Sequence, residues 1–219
     1  MLERSNYAGL VARELALLDI LYRCPQRSTL CGARLPQKNG AGYILFWSGK
    51  NKDERRLSGV DFMIKTSIAR RSQNLPVGHS DRLMPLTFPI QDNKFATVLI
   101  VYAPTLQAET GVKETFYRDL HNLLQHVDSK DKFLILGDFN ARVEGSFEQW
   151  KGVPGRHGIG NCNGNEHLLL EFCSEHQLAI TNAPFWQKDR FRATWRIRLN
   201  SAARHERHTT YKCRLLHCS

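Results

Sequence analysis

Apolar residues recur at three- and four-residue steps in some stretches of the chain and as short alternating or unbroken runs in others, which separates helices from strands. Leu10 to Leu21 has helix-like apolar positions. From Cys24 to Asn39 every pattern breaks, with Pro25, Gly32 and Pro36 among polar and basic residues. Order returns at Gly42. Tyr43 to Trp47 and Gly59 to Ile64 read as strands separated by the charged turn Lys50 to Arg56. Arg82 to Phe88 and Phe95 to Tyr102 form a second such pair around Gln91-Asp92-Asn93, rich in β-branched and aromatic residues. Antiparallel pairing is expected in both.

Val112, Phe116, Leu120, Leu123, Leu124 and Val127 then line one face of an amphipathic helix, with Lys113, Glu114, Asp119, Asn122 and Gln125 between them. Phe133-Leu134-Ile135-Leu136 is wholly apolar and too short for a helix, so it is expected as a strand buried on both faces. A Gly/Asn-rich loop from Gly155 to Asn165, a helix around Leu168 to His176 and a strand from Leu178 to Thr181 follow. Helices alternating with sheets predict a layered α/β sandwich.

Composition narrows the class. A chain of 219 residues with 42% hydrophobic positions can bury one ordinary core. The formal net charge of +10 suits a polyanionic partner, because Lys and Arg release counterions from phosphates, although a basic, well-solvated surface gives the same count. Met1 to Ile20 carries Glu3, Arg4, Arg13, Glu14 and Asp19 among its apolar residues, unlike a secretory signal. An intracellular location is expected. Phe95 to Pro104, the longest apolar run, is far short of the ~20 residues that span a bilayer, so no membrane role is expected.

Six cysteines are scattered without a CxxC pair, as free thiols of a reducing compartment are. His205, His208, Cys213, His217 and Cys218 crowd the C-terminal region at spacings that match no zinc pattern. Residues 196–219 are therefore read as an irregular basic tail. No metal ligand is assigned there.

Candidate chemistry gathers where the apolar strand runs into Gly137-Asp138-Phe139-Asn140. In extended chain Asp138 and Asn140, two apart, project to the same side. A carboxylate there can take a proton from water while the amide donates to a phosphate oxygen. An Asx turn closing a strand uses the same residue types, and both readings stand on these four residues alone.

Val101-Tyr102-Ala103-Pro104, Leu136 to Val143 (Leu-Gly-Asp-Phe-Asn-Ala-Arg-Val), the His157-to-Gly160 and Asn163-Gly164-Asn165 loop, Ile180-Thr181-Asn182 and Ala193-Thr194-Trp195 form an ordered series. In this series the chain resembles the endonuclease/exonuclease/phosphatase superfamily, in its non-LTR retrotransposon endonuclease branch and the related craniofacial-development-protein-like proteins. The resemblance covers roughly Leu10 to Ile20 and Gly40 to Trp195. It implies a four-layer α/β sandwich of two mixed sheets flanked by helices, a magnesium cofactor, and phosphodiester hydrolysis in DNA, a partner that agrees with a nuclear location. Asp138 matches the carboxylate that orients or deprotonates water, and Asn140 the supporting amide. Tyr102 matches a phenol near the scissile phosphate; a half-buried strand tyrosine is the other reading. Thr194 and Trp195 match a segment lining the DNA face, a core tryptophan being the other reading, with Arg190, Arg192, Arg196 and Arg198 beside them as phosphate contacts or a solvated charge run.

Departures from the family pattern are as informative. The resemblance implies an initial strand bearing an asparagine and, after the first helix, a segment like Ala-Leu-Ser-Glu-Thr with the metal-binding glutamate. Leu21 to Asn39 contains no acidic residue. Codons for Ala-Leu-Ser-Glu read two bases later give Pro-Gln-Arg, and Pro25-Gln26-Arg27 stands here, as a pair of compensating indels would leave it. Beyond Trp195 a catalytic Asp and an Asp-His pair are expected, and Arg196 to Ser219 has neither. The expectation is an incomplete sandwich over residues 1–195, disrupted at 24–39, that lacks its last core strands and has an exposed sheet edge. As a function this gives a degenerate metal-dependent phosphodiesterase, with a non-catalytic nucleic-acid-binding remnant or a nucleotide or inositol-phosphate phosphatase as alternatives.

Overall fold

The structure is a computed structural model, and it describes residues 21–23, 34–39, 42–50, 58–70, 75–89, 94–128, 130–141, 150, 153, 163–180 and 212–217. The fold is α/β, with strands in two sheets and helices between them in the chain. It divides into two compact units, one of residues 1–102 and 115–137, the other of residues 103–114 and 138–219.

In the first unit, β1 (Leu21–Arg23), β2 (Arg34–Asn39), β3 (Tyr43–Gly49) and β4 (Gly59–Lys65) form a sheet in the order β1-β4-β3-β2. Every pair in it is antiparallel, so this sheet is not mixed as the resemblance implied. The reason is local: β3 and β4 are the expected hairpin, in unbroken register from Tyr43↔Lys65 to Gly49↔Gly59. A four-residue helix, α1 (Thr66–Ala69), follows β4.

Two strands correct the sequence reading. β2 falls inside the stretch read as patternless, and Leu21, read as the end of a helix, opens β1; residues 10–20 of that helix lie outside the described residues. β2 sits at the sheet edge, and its register with β3 shifts between Arg34 and Gln37, around Pro36. Proline has no N–H for a ladder and is confined to edges and irregularities, so its presence disguised a strand that could only be an edge.

β5 (Leu83–Pro89) and β6 (Phe95–Tyr102) form the second expected hairpin, in register from Leu83↔Val101 to Pro89↔Phe95. The turn residues 91–93 lie outside the described residues. The Thr87 and Thr97 hydroxyls meet across the pair at 2.9 Å. α2 (Thr110–Gln125) leads to β7 (Lys132–Asp138), β6's neighbour in the sheet; a helical crossover is the connection that parallel neighbours need. Phe133 to Leu136 are all buried, as expected for that run. On α2 only Phe116 and Leu120 are buried, whereas Val112 is exposed, so the apolar face is narrower than its periodicity suggested. β4 packs against β5 and β6, and Val60, Phe62 and Ile64 of β4 are buried, as are Leu83 and Met84 of β5 and Ile100 of β6. Burial of each such side chain contributes about 1.5–3 kcal/mol.

In the second unit, α3 (Gly164–Glu175) buries Leu169, Leu170, Phe172 and Cys173 and ends at His176, whose N–H donates to Phe172 O at 3.1 Å. Gln177 then takes a left-handed conformation (φ 52°) and turns the chain into β8 (Leu178–Ile180). β9 (Lys212–His217) pairs antiparallel with β8, from Leu178↔His217 to Ile180↔Leu215. Part of the stretch read as an irregular tail is therefore a strand, contrary to the expectation that strands after Trp195 are missing. Its apolar signal is only Leu215-Leu216, too short to stand out, and its partner lies far back in the chain. Among the described residues, no helix is long and apolar enough to cross a membrane.

Candidate functional site

The strand β7 delivers its last residues at a fixed height because of Gly137. A Cβ at this position would collide with the Val101 carbonyl oxygen, and Gly137 has φ +157°, so the backbones of β6 and β7 approach as only glycine permits. One residue later, in the second unit, the Ala103 N–H donates to Asp138 O at 2.9 Å.

Asp138 is 4% exposed, and its Oδ1 accepts the backbone N–H of Asn140 at 2.9 Å. This is an Asx turn. The chain is not extended across it: Asn140 has φ +49°, a left-handed conformation that asparagine tolerates better than most residues. Asp138 and Asn140 therefore meet through a turn, and not by projecting from one face of a strand as expected. Phe139, fully buried between them, anchors the turn in the core.

The Asn140 side chain continues the network, its Nδ2 donating to Ala103 O at 2.7 Å. The Asn140 carbonyl oxygen accepts from Asn163 Nδ2 at 3.3 Å and from Asn165 Nδ2 at 3.1 Å. Asn165 Nδ2 also donates to Pro104 O at 3.0 Å. One asparagine at the start of α3 thus holds both the segment after β6 and the segment after β7.

Asn163 is the N-cap of α3, in extended conformation, and its side-chain oxygen accepts the Glu166 N–H at 3.1 Å. Glu166 is 3% exposed and stands in the first turn, where a carboxylate complements the helix dipole. Asn165 is 3% exposed, and its Oδ1 has no hydrogen-bond partner.

Sequence reasoning missed Asn163, Asn165 and Glu166 as members of this cluster. Asn163-x-x-Glu166 ahead of Leu168-Leu169-Leu170 is a capping-box signature and was legible. It moves the helix start to Gly164, inside the stretch read as a loop. Asn165, noted only within the Asn163-Gly164-Asn165 match, gave no signal of this bridging role, because its partners are Pro104 and Asn140, 61 and 25 residues away.

Tyr102 lies in the first unit, 5% exposed, with the Arg82 guanidinium 5.7 Å from its ring centre and Arg82 Nη1 donating to Tyr102 O at 3.1 Å. Asp138 and Asn140 are thus brought into contact, while Tyr102 belongs to the other unit. Thr194, Trp195, Arg192 and the neighbouring arginines lie outside the described residues.

Magnesium takes hard oxygen donors and usually one or two carboxylates. Buried oxygen donors of that kind occur in the second unit: the carboxylates of Asp138 and Glu166 and the unsatisfied amide oxygen of Asn165. The donor chemistry fits such an ion. β1 and β2, in the segment where the resemblance places the metal glutamate, carry no carboxylate.

No protein-family model matches the chain. Over 161 residues, 72% of its length, the chain is 35% identical to Craniofacial development protein 2 of Bos taurus, and to the same extent to that of Tragulus javanicus. The chain is homologous to these proteins over that stretch. It spans about a quarter (26%) of their length.

Proposed function

We propose that the chain is a catalytically impaired, endonuclease-like phosphodiesterase domain of retroelement origin, which keeps the Asp138–Asn140 turn at a strand end and has lost the usual metal carboxylate. The observation that carries this reading is the pairing of a preserved turn with a carboxylate-free segment: residues 21–39, including β1 and β2, hold no Asp or Glu.

The groups that remain are suited to holding and orienting. Asp138 is buried at the strand end, where a carboxylate can order water. One of its oxygens accepts from Asn140 N–H, and the Asn140 amide already donates to Ala103 O, so part of the hydrogen-bonding capacity needed at a phosphate is committed to the turn. When bound, magnesium would polarise a phosphoryl oxygen and stabilise developing negative charge. Loss of one such stabiliser typically costs ~3–4 kcal/mol, a factor of ~10²–10³ in rate.

The second reading is a non-catalytic nucleic-acid-binding remnant, favoured by the net charge of +10. Both readings give the protein DNA or another nucleic acid as its partner and accord with a nuclear location. Supercoiled-plasmid nicking, with magnesium against chelator, tests the impaired-enzyme reading. Binding that weakens steeply with salt and ignores magnesium would favour the binding remnant.

A further inference from the structure

We propose that Arg82 is a phosphate contact for nucleic acid, its guanidinium held against Tyr102 with one edge of its fork presented to the backbone of the bound strand. This rests on the nucleic-acid partner proposed above and adds a cation that the resemblance does not implicate.

Arg82 directly precedes β5, and the main chain around it is fixed from several sides. Its N–H donates to Ser80 Oγ at 3.1 Å, and its carbonyl oxygen accepts the Tyr102 N–H at 2.9 Å. The turn before it is tied down as well. The His79 and Ser80 N–H groups donate to Leu83 O at 2.9 and 3.2 Å, Ser48 Oγ donates to Ser80 O at 2.7 Å, and Ser58 Oγ donates to Asp81 Oδ2. Gly78 lies so close to Ser48 that an added Cβ would collide with its side chain. The Arg82 side chain is fixed in turn, Nη1 donating to Tyr102 O at 3.1 Å and the guanidinium carbon standing 5.7 Å from the Tyr102 ring centre. A side chain ordered in advance loses less freedom when it binds.

What this guanidinium lacks is a counter-charge. Among the described residues Arg82 forms no ion pair, and its Nε and Nη2 have no acceptor. The adjacent carboxylate, Asp81, accepts from Ser58. Arg82 is half-buried, yet neither Nε nor Nη2 is closed off from solvent. Nε–H and one Nη2–H lie along the same edge of the planar group, the spacing that two phosphate oxygens match. The formal net charge of +10 favours a polyanion over a single anion, and nucleic-acid backbone supplies the phosphates.

Fluorescence anisotropy of a labelled DNA duplex with the purified chain, in chelator and across a salt series, tests this. The wild type binds with log K falling linearly against log salt. Arg82→Gln weakens binding about tenfold near ~0.1 M salt and makes that slope shallower by about one, as loss of one phosphate contact requires. Lys130→Gln, whose ammonium is already paired with Asp128 at 3.3 Å, leaves the slope unchanged. A merely structural arginine would lower the urea midpoint without moving the slope. If Arg82→Gln does not fold, Arg82→Lys carries the test: it keeps the charge but not the fork, so the slope stays and binding weakens at least about threefold. An unchanged slope in Arg82→Gln, an equal change in Lys130→Gln, or wild-type affinity in Arg82→Lys overturns the proposal and leaves the nucleic-acid partner standing. Absence of salt-dependent binding by wild type with a folded circular-dichroism spectrum overturns both.

Discussion

Asn165 donates its side-chain amide to the carbonyl oxygen of Asn140 at 3.1 Å, joining the first turn of a helix to the end of a strand 25 residues earlier in the chain. The same nitrogen reaches Pro104 O. Two segments that bear the candidate chemistry therefore depend on one buried side chain.

Asn165→Ala removes both donations, taking the Asn165 donor from Pro104 O and leaving Asn140 O the 3.3 Å bond from Asn163 Nδ2. The expected loss is about 1–3 kcal/mol in urea unfolding. A midpoint unchanged from wild type would show that the network contributes nothing to stability.

The cap of α3 shares Asn163 with that network, its Nδ2 donating to Asn140 O at 3.3 Å. Asn163→Ala removes both the acceptor for Glu166 N–H and the donation to Asn140 O, and Asn163→Ser should restore the capping part, about 1 kcal/mol. Equal unfolding curves for the alanine and serine variants would contradict the capping role.

Gly137→Ala tests the close approach of β6 and β7. The added methyl meets the Val101 carbonyl oxygen, a backbone atom that cannot rotate away, so a loss of at least about 1–3 kcal/mol or failure to fold is expected. Thermal melting of the variant at the wild-type midpoint would be inconsistent with the strand spacing described.

Removal of residues 212–219 takes away β9, the antiparallel partner of β8. Amide exchange at β8, Leu178 to Ile180, should accelerate at the ladder positions that β9 protects. Exchange as slow as in the intact chain would leave residues 212–217 as the loose tail that their composition suggests.

These cases show what the sequence made visible. Where strands are neighbours in the chain and alternate or run apolar, as in Tyr43 to Trp47 with Gly59 to Ile64, both the elements and their pairing were legible. Strands that lie far from their partners were not. Leu215-Leu216 becomes a strand against Ala179 and Ile180, which no local pattern announces, and Pro36 concealed β2. At the site, Asp138 and Asn140 stood out by type and spacing, but the spacing suggested a shared strand face where the backbone makes an Asx turn. Asn165 became important only through tertiary contacts, which spacing does not encode.

The central claim is impaired turnover, and plasmid nicking tests it most directly. Purified chain is incubated with supercoiled plasmid in magnesium and in chelator, with Asp138→Ala alongside and circular dichroism to establish folding. The expected result is no magnesium-dependent nicking above the Asp138→Ala background. Nicking that requires magnesium and disappears in Asp138→Ala would contradict the account and make the chain a working phosphodiesterase.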